Sequence, residues 1–280
     1  MKPTMCLQRC YFFVVMGFTL FVGSFGFLWP QEILRALPWP MPPLHARFVG
    51  ALYLGASLFL LLALLARSRL QTRTIVDIAF VWTGWLLVVT VVHWDRFDPA
   101  RVQVWYWVGA YTTFPAVAWW LRRAGPPPVV PPEARISDAW VPPLLAGLGT
   151  LLIALAAALF LRPGSAVDVW PWKITPFLAQ LYSGPLLGFG AGCGLLAARR
   201  NWPETLIPML GLGSAALLVL LGSSWHLALF TPGSPSKALW FGSLGVVAVL
   251  STILSGGALR QGFGRRRRGA ALASSTPGNA

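Results

Sequence analysis

Eight apolar stretches of about 20 residues each, near 11–30, 47–66, 74–94, 103–121, 140–162, 174–198, 205–230 and 237–259, govern what this chain can fold into. A helix of that length crosses a hydrocarbon core of roughly 30 Å. In lipid every backbone N–H and C=O has to be satisfied within the chain, which makes such stretches helical. The expected fold class is all-α: a polytopic membrane protein with eight transmembrane helices. Charged residues make up 11% of the chain, less than half of the roughly 25% usual in a soluble domain. That excludes a disordered chain and an ordinary soluble enzyme. The first stretch follows Lys2 and Arg9 as a signal peptide would, but it ends Phe27-Leu-Trp-Pro30 without a small-x-small cleavage site and reads as a retained helix.

The net charge is +14. The basic residues sit in short runs beside the apolar stretches, as a membrane orientation signal rather than a nucleic-acid surface. With eight spans, 15 Lys and Arg fall on the side of the N-terminus and 7 on the other. Positive charge is retained on the cytoplasmic side, so both termini are expected inside, in a bacterial inner membrane. The segment Gly125-Pro-Pro-Pro-Val-Val-Pro-Pro132 reads as a stiff cytoplasmic linker, and the Arg-rich tail from 261 to 280 as disordered.

Shifted by 133 residues, the two halves align without a gap. Pro38-Trp39 falls on Pro171-Trp172, Leu54-Gly55 on Leu187-Gly188, Arg67 on Arg200, His93 on His226, Phe97 on Phe230 and Trp107 on Trp240. Leu matches come freely in any membrane protein, whereas Trp, His and Pro in one register do not. The chain is read as residues 1–123 (first four-helix repeat), 124–139 (linker), 140–260 (second repeat) and 261–280 (tail). An even number of spans per repeat requires parallel copies, related by a pseudo-two-fold axis along the membrane normal.

The well-matched rare residues fall on the outer side, which marks it as the candidate functional face. Nine of the 15 tryptophans lie there, including Trp39 and Trp172 in Pro-rich loops. An interfacial Trp belt is general, but this asymmetry favours an outer surface that packs loops, a ligand or a membrane-protein partner. His93 and His226 are symmetry mates at the outer ends of the third and seventh stretches. They read as helix caps, as a ligand-contact or proton-handling pair, or as the axial ligands of a bis-His haem or metal site. Arg47 and Gln180 also match; Arg47 is expected to pair with Asp95 or Asp98, and the unmatched His45 to lie at the surface.

Within the apolar stretches the only acid is Asp77, four residues beyond Arg73 and so expected to reach interfacial water. Gly184, Gly188 and Gly192 form a small-residue face for close helix packing. Cys6, Cys10 and Cys193 show neither a disulfide framework nor metal-ligand spacing. There is no His-Glu-x-x-His, phosphate loop, Gly-x-Ser-x-Gly or paired intramembrane carboxylates.

These absences and the few buried polar groups point to a non-enzymatic accessory or assembly protein presenting a Trp/Pro-rich extracytoplasmic face, with no cofactor. The first alternative is a permease or binder for a small apolar or neutral solute, motivated by the duplication and the glycine-rich sixth stretch. The second is a haem or metal protein using His93 and His226. The strings Ala46-Arg-Phe-Val-Gly-Ala-Leu-Tyr-Leu54 and His93-Trp-Asp-Arg-Phe97, with a Trp-rich fourth stretch, are similar to a group of uncharacterised bacterial multi-pass membrane proteins built from duplicated four-helix units. The resemblance spans most of residues 27–259, although the second copy reads Leu-Ala-Leu at 227–229 in place of Trp-Asp-Arg; it implies architecture and no activity.

Overall fold

A computed structural model describes residues 3–274, with side chains from 5 to 262. It is all-helical among the described residues. The helices are α1 (Pro3–Leu28), α2 (Pro43–Leu65), α3 (Arg69–Val92), α4 (Val102–Arg123), α5 (Val141–Leu161), the short α6 (Pro163–Val169), α7 (Pro176–Arg199), α8 (Trp202–Ser224) and α9 (Pro235–Ser274). Their starts are written in the sequence. Proline stands at the first turn of α2, α5, α6, α7 and α8, where its fixed φ suits a helix and its missing N–H costs nothing. Ser68 caps α3 in a capping box with Gln71, and the Thr175 and Asn201 side chains accept from Leu178 N and Glu204 N.

Among the described residues seven helices are long and apolar enough to cross a membrane: α1, α2, α3, α5, α7, α8 and α9. The chain is thus a multi-pass membrane protein. The expected eighth, α4, is as long as its neighbours but carries four Trp and two Tyr, whose N–H and O–H groups lower its hydropathy. The expected disordered tail from 261 is corrected as far as Ser274, because α9 continues through the arginine run. Arg, Ala and Leu are strong helix formers and carry the helix on past the apolar stretch. Residues 275–280 of that tail lie outside the described residues.

Four helices make the centre. α2 packs along α8 and α3 along α7, while α3 and α8 also touch one another. The flanking helices dress them, α1 on α2, α4 on α3, α5 on α7 and α9 on α8. Small residues let the backbones approach. A Cβ at Gly184 would come within 2.9 Å of Leu86, at Gly188 within 2.9 Å of Trp82, and at Gly192 within 2.6 Å of Ile78, so all three glycines of α7 are pressed against α3. On the other central pair, Gly55 faces Ala215 and Gly211 receives the Phe59 ring. In the 133-residue register Gly55/Ala215 corresponds to Gly188/Trp82, and Phe59/Gly211 to Gly192/Ile78. The second correspondence swaps large for small, so a bulky side chain meets a glycine in both places.

Candidate functional site

The loops that carry Trp39 and Trp172 fold inward. Trp39 and Trp172 are 6% and 5% exposed. Trp39 packs edge-on against Trp107 at 4.8 Å and Phe97 at 5.5 Å; Trp172 does the same with Trp240 at 4.8 Å and Phe230 at 5.5 Å. The Trp107 indole N–H donates to Thr90 Oγ1 at 3.0 Å, and that of Trp240 to Ser223 Oγ at 3.1 Å. Direct partner contact through Trp39 and Trp172 is therefore corrected: they anchor the loops to the helix ends. At the same end of the bundle Trp29, Trp94, Trp105 and Trp225 remain exposed.

His93 and His226 do not share a partner. His93, at the C-terminal cap of α3, hydrogen-bonds Gln180 of α7; His226, just beyond α8, hydrogen-bonds Arg47 of α2. Each is held by a residue of the opposite half, and the two contacts correspond in the 133-residue register. Their chemistry is opposite. The Gln180 amide nitrogen donates to Phe160 O at 2.8 Å, which turns Oε1 toward His93, so His93 Nε2 is the donor. Arg47 can only donate, so His226 Nε2 accepts and its ring is neutral. Burial and the Arg47 charge both hold the His226 pKa below its ordinary value. A haem or metal bound at either Nε2 would have to displace these partners. Among the described residues no group of three or more His, Cys, Asp and Glu is placed to hold a metal ion.

Two further readings of this face are corrected. Arg47 does not reach Asp95, which pairs with its neighbour Arg96 at 3.3 Å, because the guanidinium turns inward to His226 and over the Trp225 ring at 5.1 Å. His45 is buried rather than superficial, its Nδ1 2.8 Å from the Tyr182 hydroxyl across the two halves.

The opposite end of the bundle, where α3 begins and α4 and α7 end, holds a polar centre that sequence reasoning missed. Asp77 is 3% exposed and Glu204 is fully buried. Arg199, ending α7, lies between them, with Nη2 2.7 Å from Asp77 Oδ2 and Nη1 2.9 Å from Glu204 Oε2. Arg122, ending α4, reaches Asp77 Oδ1 with Nε at 2.6 Å. The Thr74 hydroxyl donates to Glu204 Oε2 at 2.7 Å and accepts from Arg199 at 3.0 Å; Asn201 Nδ2 donates to Glu204 Oε1 at 2.9 Å. Asp77 therefore does not meet water at the boundary: its oxygens are taken by two arginines from other helices. The lone acid in an apolar stretch was the available signal. Its partners lie up to 122 residues away, and no local spacing announces them.

Comparison of the chain with protein-family models, with curated proteins and with solved structures finds no match.

Proposed function

We propose that this is a non-enzymatic accessory or assembly protein of the bacterial inner membrane: an eight-span rigid bundle of two parallel four-helix repeats, with both termini cytoplasmic. The observation that carries the reading is the closed seam between the halves. Gly188, Gly192 and Gly211 of the second half receive Trp82, Ile78 and Phe59 of the first, Gly55 of the first half meets Ala215 of the second, and the void at the seam beside Trp39, Trp82, Leu86 and Tyr182 is about 10 Å³. That is room for about one water, not a solute path. A bundle so packed acts through its surfaces. The exposed Trp29, Trp94 and Trp225 around the outer loops are the surface assigned to a membrane-protein partner.

The repeat reading is supported by where the helices begin. α2 and α7 start at 43 and 176, α3 and α8 at 69 and 202, and α4 and α9 at 102 and 235, each pair 133 residues apart. It is supported too by the packing, since exchanging the halves turns the α2–α8 pair into the α7–α3 pair. At 22 residues, α4 is about 33 Å long at 1.5 Å per residue, enough to span. An eighth span also keeps the more basic loops on one side.

The test is native mass spectrometry of the tagged full chain, purified from its own host in mild detergent. The expected result is a stoichiometric second polypeptide, lost in the double variant Trp94→Ala/Trp225→Ala while the helical content is kept. A lone chain carrying a discrete neutral solute would overturn the reading in favour of a permease.

A further inference from the structure

Beside the Asp77 centre, on the inner side, the first turn of α3, the last turn of α4, the end of α7 and the proline segment 126–128 enclose a cleft of about 330 Å³. Its walls carry Arg69, Arg73, Arg122, Arg123 and Arg199 against one carboxylate, Asp77. We propose that this cleft is a binding site for a phosphate ester. The site is independent of the partner reading above, and three observations point to it.

The first is the state of the guanidiniums. Asp77 is used up by Arg122 Nε and Arg199 Nη2, and the rest of Arg199 is used by Glu204. Arg123 lies over the Trp119 ring at 4.0 Å, and Arg69 has only a long bond to Leu121 O at 3.4 Å. The Arg73 side chain, half-buried on the cleft wall, makes no hydrogen bond and no ion pair among the described residues. Uncompensated like charges in a concave, poorly solvated wall raise its potential and attract an anion. Arginine forks match phosphate oxygens in pairs.

The second is that the cleft is built. The Asp77 carboxylate holds two arginines from different helices in fixed directions, and Arg122 is further seated over the Phe80 ring at 4.7 Å. The Pro-Pro-Pro wall is stiff, and it follows Gly125, whose φ of +87° turns the chain back over Arg69. The volume is at the lower end for small-molecule sites, enough for a phosphate and a short organic group.

The third is that the second half has no such place. In the 133-residue register Arg69, Arg73, Asp77, Arg122 and Arg123 fall on Trp202, Leu206, Leu210, Ser255 and Gly256. Trp202 is buried there, its ring 2.8 Å from where a Cβ on Gly257 would lie, and fills the space. Orientation alone would be served by basic residues in either copy. Charging one copy and plugging the other builds a single pocket.

Two sources present the same chemistry at this depth: the headgroup of an anionic phospholipid and a soluble phosphate monoester. The experiment has an arm for each, run on the full chain and on Arg73→Gln, which removes a side chain that holds nothing else in place. In detergent, glycerol 3-phosphate is titrated against thermal unfolding, with sodium chloride at matched ionic strength as the control. In phosphatidylglycerol nanodiscs, native mass spectrometry counts retained phospholipid. Wild type is expected to bind in at least one arm, and R73Q about tenfold more weakly or not at all, the loss of one charge-assisted contact. Binding only in the first arm identifies a soluble ester, and only in the second a lipid headgroup. The proposal is overturned if R73Q and wild type behave alike in both arms, or if chloride reproduces the effect. Arg123→Gln, on an exposed side chain, is the second variant should R73Q unfold.

Discussion

Arg199→Ala is expected to cost about 3–5 kcal/mol, the range for removing one member of a buried ion pair. A domain's whole stability is about 5–15 kcal/mol, so much of the protein should be lost from the membrane fraction. The reason is that Arg199 serves two buried acids at once. Without it Asp77 keeps Arg122, but Glu204 is left with Thr74, Asn201 and no cation. The measurement is thermal unfolding in detergent. Arg199→Lys should fall between, keeping the charge and losing the fork that reaches both carboxylates. Replacing the acids as well, with Asp77→Asn and Glu204→Gln, should restore part of the loss in a mutant cycle. A wild-type midpoint in Arg199→Ala would show that the network is not holding α3, α7 and α8 together.

The second large effect comes from a methyl group. Gly50→Ala places a Cβ in the α1 backbone, against Phe27 N and within 2.7 Å of Gly26 C. Backbone cannot rotate aside as a side chain would, so α1 and α2 must separate. The expected cost is about 1–3 kcal/mol, the range for an overpacked core. It runs against the roughly 1 kcal/mol that Gly→Ala gains in an open helix position. Gly109→Ala in α4, where nothing lies within 4 Å, is the control and should be neutral or stabilising. Equal midpoints for the two variants would contradict the close approach of α1 and α2.

What was legible in the sequence follows from what each signal encodes. Apolar length encodes a helix in lipid, so the all-helical, multi-pass class was readable; the ends of α2, α3, α4, α5 and α7 lie within about five residues of the apolar stretches, whereas α1 begins at 3 and not 11, and α9 runs to 274 and not 259. Hydropathy reads α4 less clearly, because Trp and Tyr are both apolar rings and hydrogen-bonding groups. The 133-residue register marked His93, His226, Arg47 and Gln180 as matched, but not that His93 pairs with Gln180 and His226 with Arg47. The register aligns equivalent residues, whereas these contacts between the halves join non-equivalent ones. Trp39 and Trp172 carry no mark of facing inward or outward, since a loop tryptophan serves either; their burial is decided by Trp107 and Trp240 about 68 residues on. The arginine cleft was hidden for a related reason. Each of its arginines, taken singly, reads as an orientation signal, and only the folding of α4 and the proline segment over α3 gathers them.

The arrangement of sides underlies both the partner surface and the phosphate site, and α4 is the segment on which it turns. Single cysteines at Ala100, Val129 and Thr231, in a Cys6→Ser/Cys10→Ser background, would be treated with a membrane-impermeant maleimide in right-side-out vesicles. All three positions are exposed, and Cys193 is buried. Ala100→Cys and Thr231→Cys are expected to label at once, and Val129→Cys only after the vesicles are opened. Labelling of Ala100→Cys and Val129→Cys from the same side would show that α4 does not cross, and would contradict the eight-span bundle with its arginine cleft inside.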